Sequence, residues 1–141
     1  MKVACIQLSS GEDYNKNFKD IVKYINQAIA NKADLIITPE TSSLMSADKN
    51  NLFKYSYEMK HDPIIKKVKI IAKTKKKWIL LGSICIKEKS KLRNRSILIG
   101  PKGKINTYYD KINMFDVKVS KKEQHKDCLL YTSPSPRDVE E

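Results

Sequence analysis

The sequence predicts an α/β fold in which helices lie on one face of a mixed sheet, and three observations carry that expectation. An alternating apolar run at residues 2–8, a helix-period stripe and the short apolar run Leu35-Ile36-Ile37 follow one another. That strand–helix–strand order implies a crossover connection and parallel pairing of the first two strands. A second helix-period stripe comes next, and then three further strand-like runs, the last two joined by a short turn, which make the sheet mixed.

The elements can be justified in order. Residues 2–8 form the first strand and residues 9–13 a polar turn. Phe18, Ile21, Val22, Ile25, Ala28 and Ile29 recur at three and four, the apolar stripe of an amphipathic helix over residues 14–31. The second strand, 35–37, is stopped by Pro39, which cannot donate into a ladder. Residues 41–50 read as loop, and a short helix is expected around 51–59. Asp62-Pro63 opens the next long helix, a capping carboxylate followed by proline at the first helical position. Its stripe is Ile64, Ile65, Val68, Ile71 and Ala72, ending near Lys75. Residues 78–86 and 94–99 are strands, and Gly100-Pro101-Lys102-Gly103 turns the chain into another at 104–109. The second face of such a sheet needs a cover, which this chain is expected to lack.

At 141 residues the chain has the length of one ordinary domain, and its 40% hydrophobic content suffices for a core. No apolar run approaches the ~18 residues of a membrane span, and residues 1–8 are too short and too mixed for a secretory signal. A cytoplasmic protein with no membrane partner is expected. The formal charge of +12 raises a nucleic-acid reading. Yet Lys73, Lys75, Lys76 and Lys77 close a helix, where the dipole favours cations. Lys87, Lys89, Lys91, Arg93 and Arg95 fall in and around a hairpin-like turn. Aromatic side chains do not alternate with these charges as they would on a base-stacking platform. The charge therefore reads as a solvated face, and no nucleic-acid partner is expected. A non-catalytic basic module that binds nucleic acid is the alternative, with affinity falling steeply in salt.

Three cysteines make no disulfide framework. Cys5 and Cys85 lie in apolar strand patterns and are expected to be buried, unreactive thiols. From Cys128 the character changes: Cys-Leu-Leu-Tyr-Thr-Ser-Pro-Ser-Pro-Arg-Asp has no helical or strand period. This stretch resembles the translation of a transposase adapter used in shotgun sequencing. Residues 1–127 are thus expected to be the domain proper, truncated, and residues 128–141 a non-native tail outside any fold reasoning. A native Glu codon read across such a junction becomes Asp127.

Two charged residues just beyond strand ends are candidates for chemistry. Glu40 follows its strand through Thr38-Pro39, and active-site groups in open α/β sheets gather at the carboxyl ends of strands. Alone, it reads as a solvated loop carboxylate. Lys111 follows the last strand and, alone, reads as one more surface lysine. His61 and His125 show no ligand spacing, so no metal site is expected.

Joined to their surroundings, these residues carry a resemblance. Leu35-Ile36-Ile37-Thr38-Pro39-Glu40 resembles the strand-then-Pro-Glu motif of the nitrilase superfamily of carbon–nitrogen hydrolases. Asn94-Arg95-Ser96, Gly100, Gly103 and Tyr109-Asp110-Lys111-Ile112-Asn113-Met114-Phe115-Asp116-Val117 resemble its second motif. Val3-Ala4-Cys5-Ile6-Gln7-Leu8 resembles its first strand, so the likeness runs in order over about residues 1–127. It implies the N-terminal half of an α-β-β-α sandwich. It also implies Glu40 as general base and Lys111 as the positive group of a Glu-Lys-Cys triad, with no cofactor. The chemistry is coherent: a thiol becomes nucleophilic when a carboxylate takes its proton, and an ammonium stabilises the oxyanion formed on attack.

The chain also departs from that pattern. Asn113 stands where the family often has histidine, and Asp127 stands about where a second pocket glutamate is expected. The nucleophilic cysteine is missing. Cys128 does not replace it, because it lies too close to Lys111, follows no strand and lacks the Tyr-Asp and Arg that usually come after the family's cysteine. The resemblance implies an amidase acting on a small-molecule amide or nitrile, homo-oligomeric when full length. Met114-Phe115-Asp116-Val117 looks most like the branch that acts on ω-amides and deaminated glutathione. The chain itself is expected to be inactive; a scaffold that has lost catalysis is the third reading.

Overall fold

A computed structural model describes residues 1–112 and, beyond them, the backbone of two short strands. The expectations for Asn113, for Asp127 and for the tail at 128–141 lie outside the described residues. Strands β1 (Val3–Cys5), β2 (Leu35–Ile37), β3 (Trp78–Glu88), β4 (Lys91–Ile99) and β5 (Ile105–Asp110) form one sheet in that order. β1, β2 and β3 run parallel, and β3–β4 and β4–β5 pair antiparallel, the mixed sheet that the element order predicts. β6 (Asp116–Lys118) and β7 (Gln124–Lys126) pair antiparallel in a separate ladder.

Helix α1 (Tyr14–Ala30) starts where the Asp13 side chain accepts the Lys16 N–H at 3.1 Å, and it buries Tyr14, Asn17, Ile21, Ile25 and Ala28. The short helix expected around 51–59 is instead α2 (Lys49–Lys54) followed by a 3-10 turn, Met59–His61. It begins early because Asp48 caps it, accepting the Asn50 N–H at 2.9 Å. It ends early because Tyr57 bridges to Ile86, its carbonyl accepting the Lys87 N–H at 2.9 Å. Helix α3 (Pro63–Lys75) opens at Asp62-Pro63 as expected, with Asp62 Oδ1 accepting the Ile65 N–H at 3.0 Å. β4 begins at Lys91 rather than at 94, because β3 and β4 form one long hairpin around Lys89-Ser90.

Register separates the two faces of the sheet, since residues directly opposite one another share a face. Ala4, Ile36, Ile79, Ile99 and Ile105 lie in one such row. Ile36, Ile79 and Ile99 in it are fully buried, and α1 and α3 pack on this side. Cys5, Ile37, Leu80, Leu98 and Thr107 form a row on the opposite face, and none of them is buried. Val3 (44% exposed) and Trp78 (38%) extend that open face. Cys5 is therefore exposed, against the expectation of a buried thiol, whereas Cys85 is buried.

One irregularity shapes the region around Glu40. Leu81 pairs with Ile97 and Ile84 with Arg95, so β3 carries one residue more than β4 across Gly82-Ser83. This bulge returns Ile84 and Ile86 to the helix face and puts Cys85 and its partner Asn94 on the other.

Candidate active site

The strand end that carries Glu40 is laid onto the bulge of β3. The Thr38 N–H continues the ladder to Leu80 O at 2.9 Å; beyond it, Ser83 N–H reaches Pro39 O at 3.3 Å and Gly82 N–H reaches Thr38 Oγ1 at 3.1 Å. The approach is so close that a Cβ at position 82 would meet Thr38 O at 2.0 Å. Glycine is the residue that lets two backbones come this near. Ser96 Oγ donates to Gly82 O at 2.6 Å, tying β4 to the same spot.

The chain then turns sharply. Thr41 has φ +50°, a left-handed conformation that β-branched residues rarely adopt. It is held there by its N–H to Ser83 Oγ (2.8 Å) and by the Ser42 N–H to Ser83 O (2.9 Å). Backbone strain pinned by several hydrogen bonds concentrates at functional sites. Here it lies at the residue that follows Glu40.

Glu40 and Lys111, separated by 71 positions, meet: Lys111 Nζ donates to Glu40 Oε1 at 2.8 Å. Lys111 lies one residue past β5, and its backbone N–H is bound by Asn94 O at 2.9 Å. Asn94 also reaches the carboxylate, its Nδ2 donating to the same Glu40 Oε1 at 3.1 Å. The carboxylate and the ammonium are partly exposed, whereas Asn94 is 1% exposed. Sequence reasoning places Asn94 in a motif without giving it a role. Its signal is the register of a hairpin, which no local pattern prints.

Arg95 corrects an expectation. The sequence groups it with a solvated basic face, but it is only 4% exposed and gripped by two carboxylates. Nε and NH2 bind Asp110 Oδ1 and Oδ2 at 2.6 and 2.9 Å, and NH2 binds Glu88 at 2.7 Å. Burial works against the charge, but Asp110 and Glu88 outweigh it and hold the guanidinium above its ordinary value. This clamp secures Asp110, the residue next to Lys111. Among the described residues, no three His, Cys, Asp or Glu side chains converge as metal ligands, and no helix is long and apolar enough to cross a membrane. His61 is exposed in the 3-10 turn.

Comparison with known proteins gives a consistent result. The family model for carbon-nitrogen hydrolases matches residues 2–138. Nitrilase homolog 2 of Dictyostelium discoideum is 30% identical over 133 residues, covering 93% of this chain and 40% of that protein. Deaminated glutathione amidase of Yersinia enterocolitica is 29% identical over 120 residues, covering 83% and 41% respectively. The crystal structure of the Caenorhabditis elegans NitFhit protein superposes with a TM-score of 0.75 at 21% identity, over 94% of this chain and 33% of that one. The chain thus spans about two fifths of the length of these two curated relatives.

Proposed function

The chain belongs to the carbon–nitrogen hydrolase family, and from that premise we propose that the complete protein is a cytoplasmic amidase releasing ammonia from the terminal amide of a small carboxylic acid. The observation that carries the reading is the 2.8 Å contact between Lys111 Nζ and Glu40 Oε1 at adjoining strand ends. The proposed nucleophile is a cysteine from sequence outside residues 1–127, with residues 128–141 a non-native tail.

The reaction follows from these groups. Glu40 takes the proton of the thiol, and the sulfur attacks the amide carbonyl. The oxyanion is stabilised by the positive charge of the Lys111 ammonium, which is held beside Glu40 by the 2.8 Å contact. The C–N bond breaks as Glu40 passes its proton to the departing nitrogen, leaving ammonia and a thioester. Glu40 then draws a proton from water, whose oxygen attacks the thioester; the C–S bond breaks, the acid is freed and Glu40 returns that proton to the departing sulfur. No metal or organic cofactor enters any step. The likeness to deaminated glutathione amidase favours an ω-amide of a small acid over a nitrile or N-carbamoyl substrate. A homo-oligomer is part of the same proposal.

The test is ammonia release by the complete gene product. Glu40→Gln and Lys111→Ala are each expected to lower kcat/KM by about a thousandfold, while the 141-residue chain shows none. A complete protein inert toward small amides, nitriles and carbamoyl compounds would end the amidase reading. Genomic DNA read past the codon for residue 127 should continue into a strand that ends in cysteine.

A further inference from the structure

Glu40 ends in a flexible, partly exposed side chain, and Lys111 reaches it on a four-carbon stem. A pair built only from these two would sample many arrangements. Asn94 is different. It is short, 1% exposed and set by the β3–β4 register opposite Cys85. Its amide orientation is dictated by charge: the ionised carboxylate accepts only, so Nδ2 must face Glu40. Asn94 Oδ1 is left buried, with no hydrogen-bond partner among the described residues. A buried polar atom left so is costly, and an amide kept there despite the cost calls for a reason.

The bonds to Glu40 supply one. Lys111 Nζ and Asn94 Nδ2 both donate to Oε1, and Oε2 makes no hydrogen bond among the described residues. We infer that Asn94 is a positioning residue that anchors the Glu40 carboxylate through Oε1, leaving Oε2 as the oxygen that exchanges the proton. The inference rests on the amidase reading for its chemistry, though the anchoring itself is a structural statement. One residue thereby aligns both charged groups, holding Glu40 by its side chain and the Lys111 backbone by its carbonyl. Substitution of the side chain leaves the backbone bond in place, so the two effects separate.

The experiment uses the complete protein and two variants. Asn94→Ala removes the anchor, and Asn94→Leu keeps a side chain of similar size with no N–H to offer Glu40. Both are expected to lower kcat by about a hundredfold, with KM within about threefold and a near-native melting temperature. A crystal structure of Asn94→Ala should show the Glu40 carboxylate turned away from its wild-type position. Wild-type kcat in either variant, a loss confined to KM, or a carboxylate unmoved in Asn94→Ala would each overturn the inference. If the wild-type protein releases no ammonia, the amidase reading fails by itself, and the crystal structure still decides the anchoring.

Discussion

Asp62 shows how much one side chain can decide. It caps α3 from a buried position, and burial lifts its pKa to about 6 despite the helix N–H groups of Ile65 and Ile64, which favour the charged form. In the unfolded chain an aspartate releases its proton near pH 3.9. Between these values the folded state holds the proton and the unfolded state does not. The stabilisation is therefore full below about pH 4 and is lost as pH rises through about 6. Two pKa units correspond to about 3 kcal/mol. An asparagine at this position would still cap the helix without a charge to bury. Asp62→Asn is accordingly expected to flatten the pH dependence of stability between about pH 4 and 6 and to raise stability near neutral pH. Urea titrations across that range check it, and a variant less stable than wild type at neutral pH would refute it.

At the scale of the element, the bulge in β3 does most to build the site. It lets β3 face the helices with Ile79, Leu81, Ile84 and Ile86 and still accept the Thr38–Pro39 backbone at Gly82. A methyl group at position 82 has nowhere to go, because the atoms it would meet are backbone rather than a flexible side-chain tip. Gly82→Ala is expected to cost about 2–3 kcal/mol and to displace the strand end that bears Glu40. A lowered denaturation midpoint with a loss of activity beyond the unfolded fraction is the anticipated result. Unchanged stability would mean that the two backbones do not approach as described.

For the whole molecule, the open face decides behaviour. Val3, Cys5, Ile37, Trp78, Leu80 and Leu98 leave apolar surface in two adjoining rows of one face, where α1 and α3 protect only the other side. The 141-residue chain by itself is expected to self-associate and to bind a hydrophobic dye, as measured by size-exclusion chromatography with light scattering and by dye fluorescence. A monomeric chain that melts cooperatively would contradict this. The complete family fold is expected to bury those rows and abolish dye binding.

Much of this is legible in the sequence. The stripes of α1 and α3 and the cap at Asp62 are set by neighbours within a turn or two of the chain, and the strand–helix–strand order makes β1 and β2 parallel. Glu40 and Lys111 each follow a strand end, but alone each reads as an ordinary surface charge, and the resemblance of the motifs around them is what singles them out. Their meeting does not follow from any local pattern. It depends on β3 and β4 lying between them in a particular register. A single extra residue at Gly82-Ser83 resets which side chains share a face. The same long-range pairing buries Arg95, exposes Cys5 and brings Asn94 to the carboxylate. Periodicity and capping act over a few residues, and so the chain announces its elements; contact across the sheet is set by register, which only the folded molecule resolves.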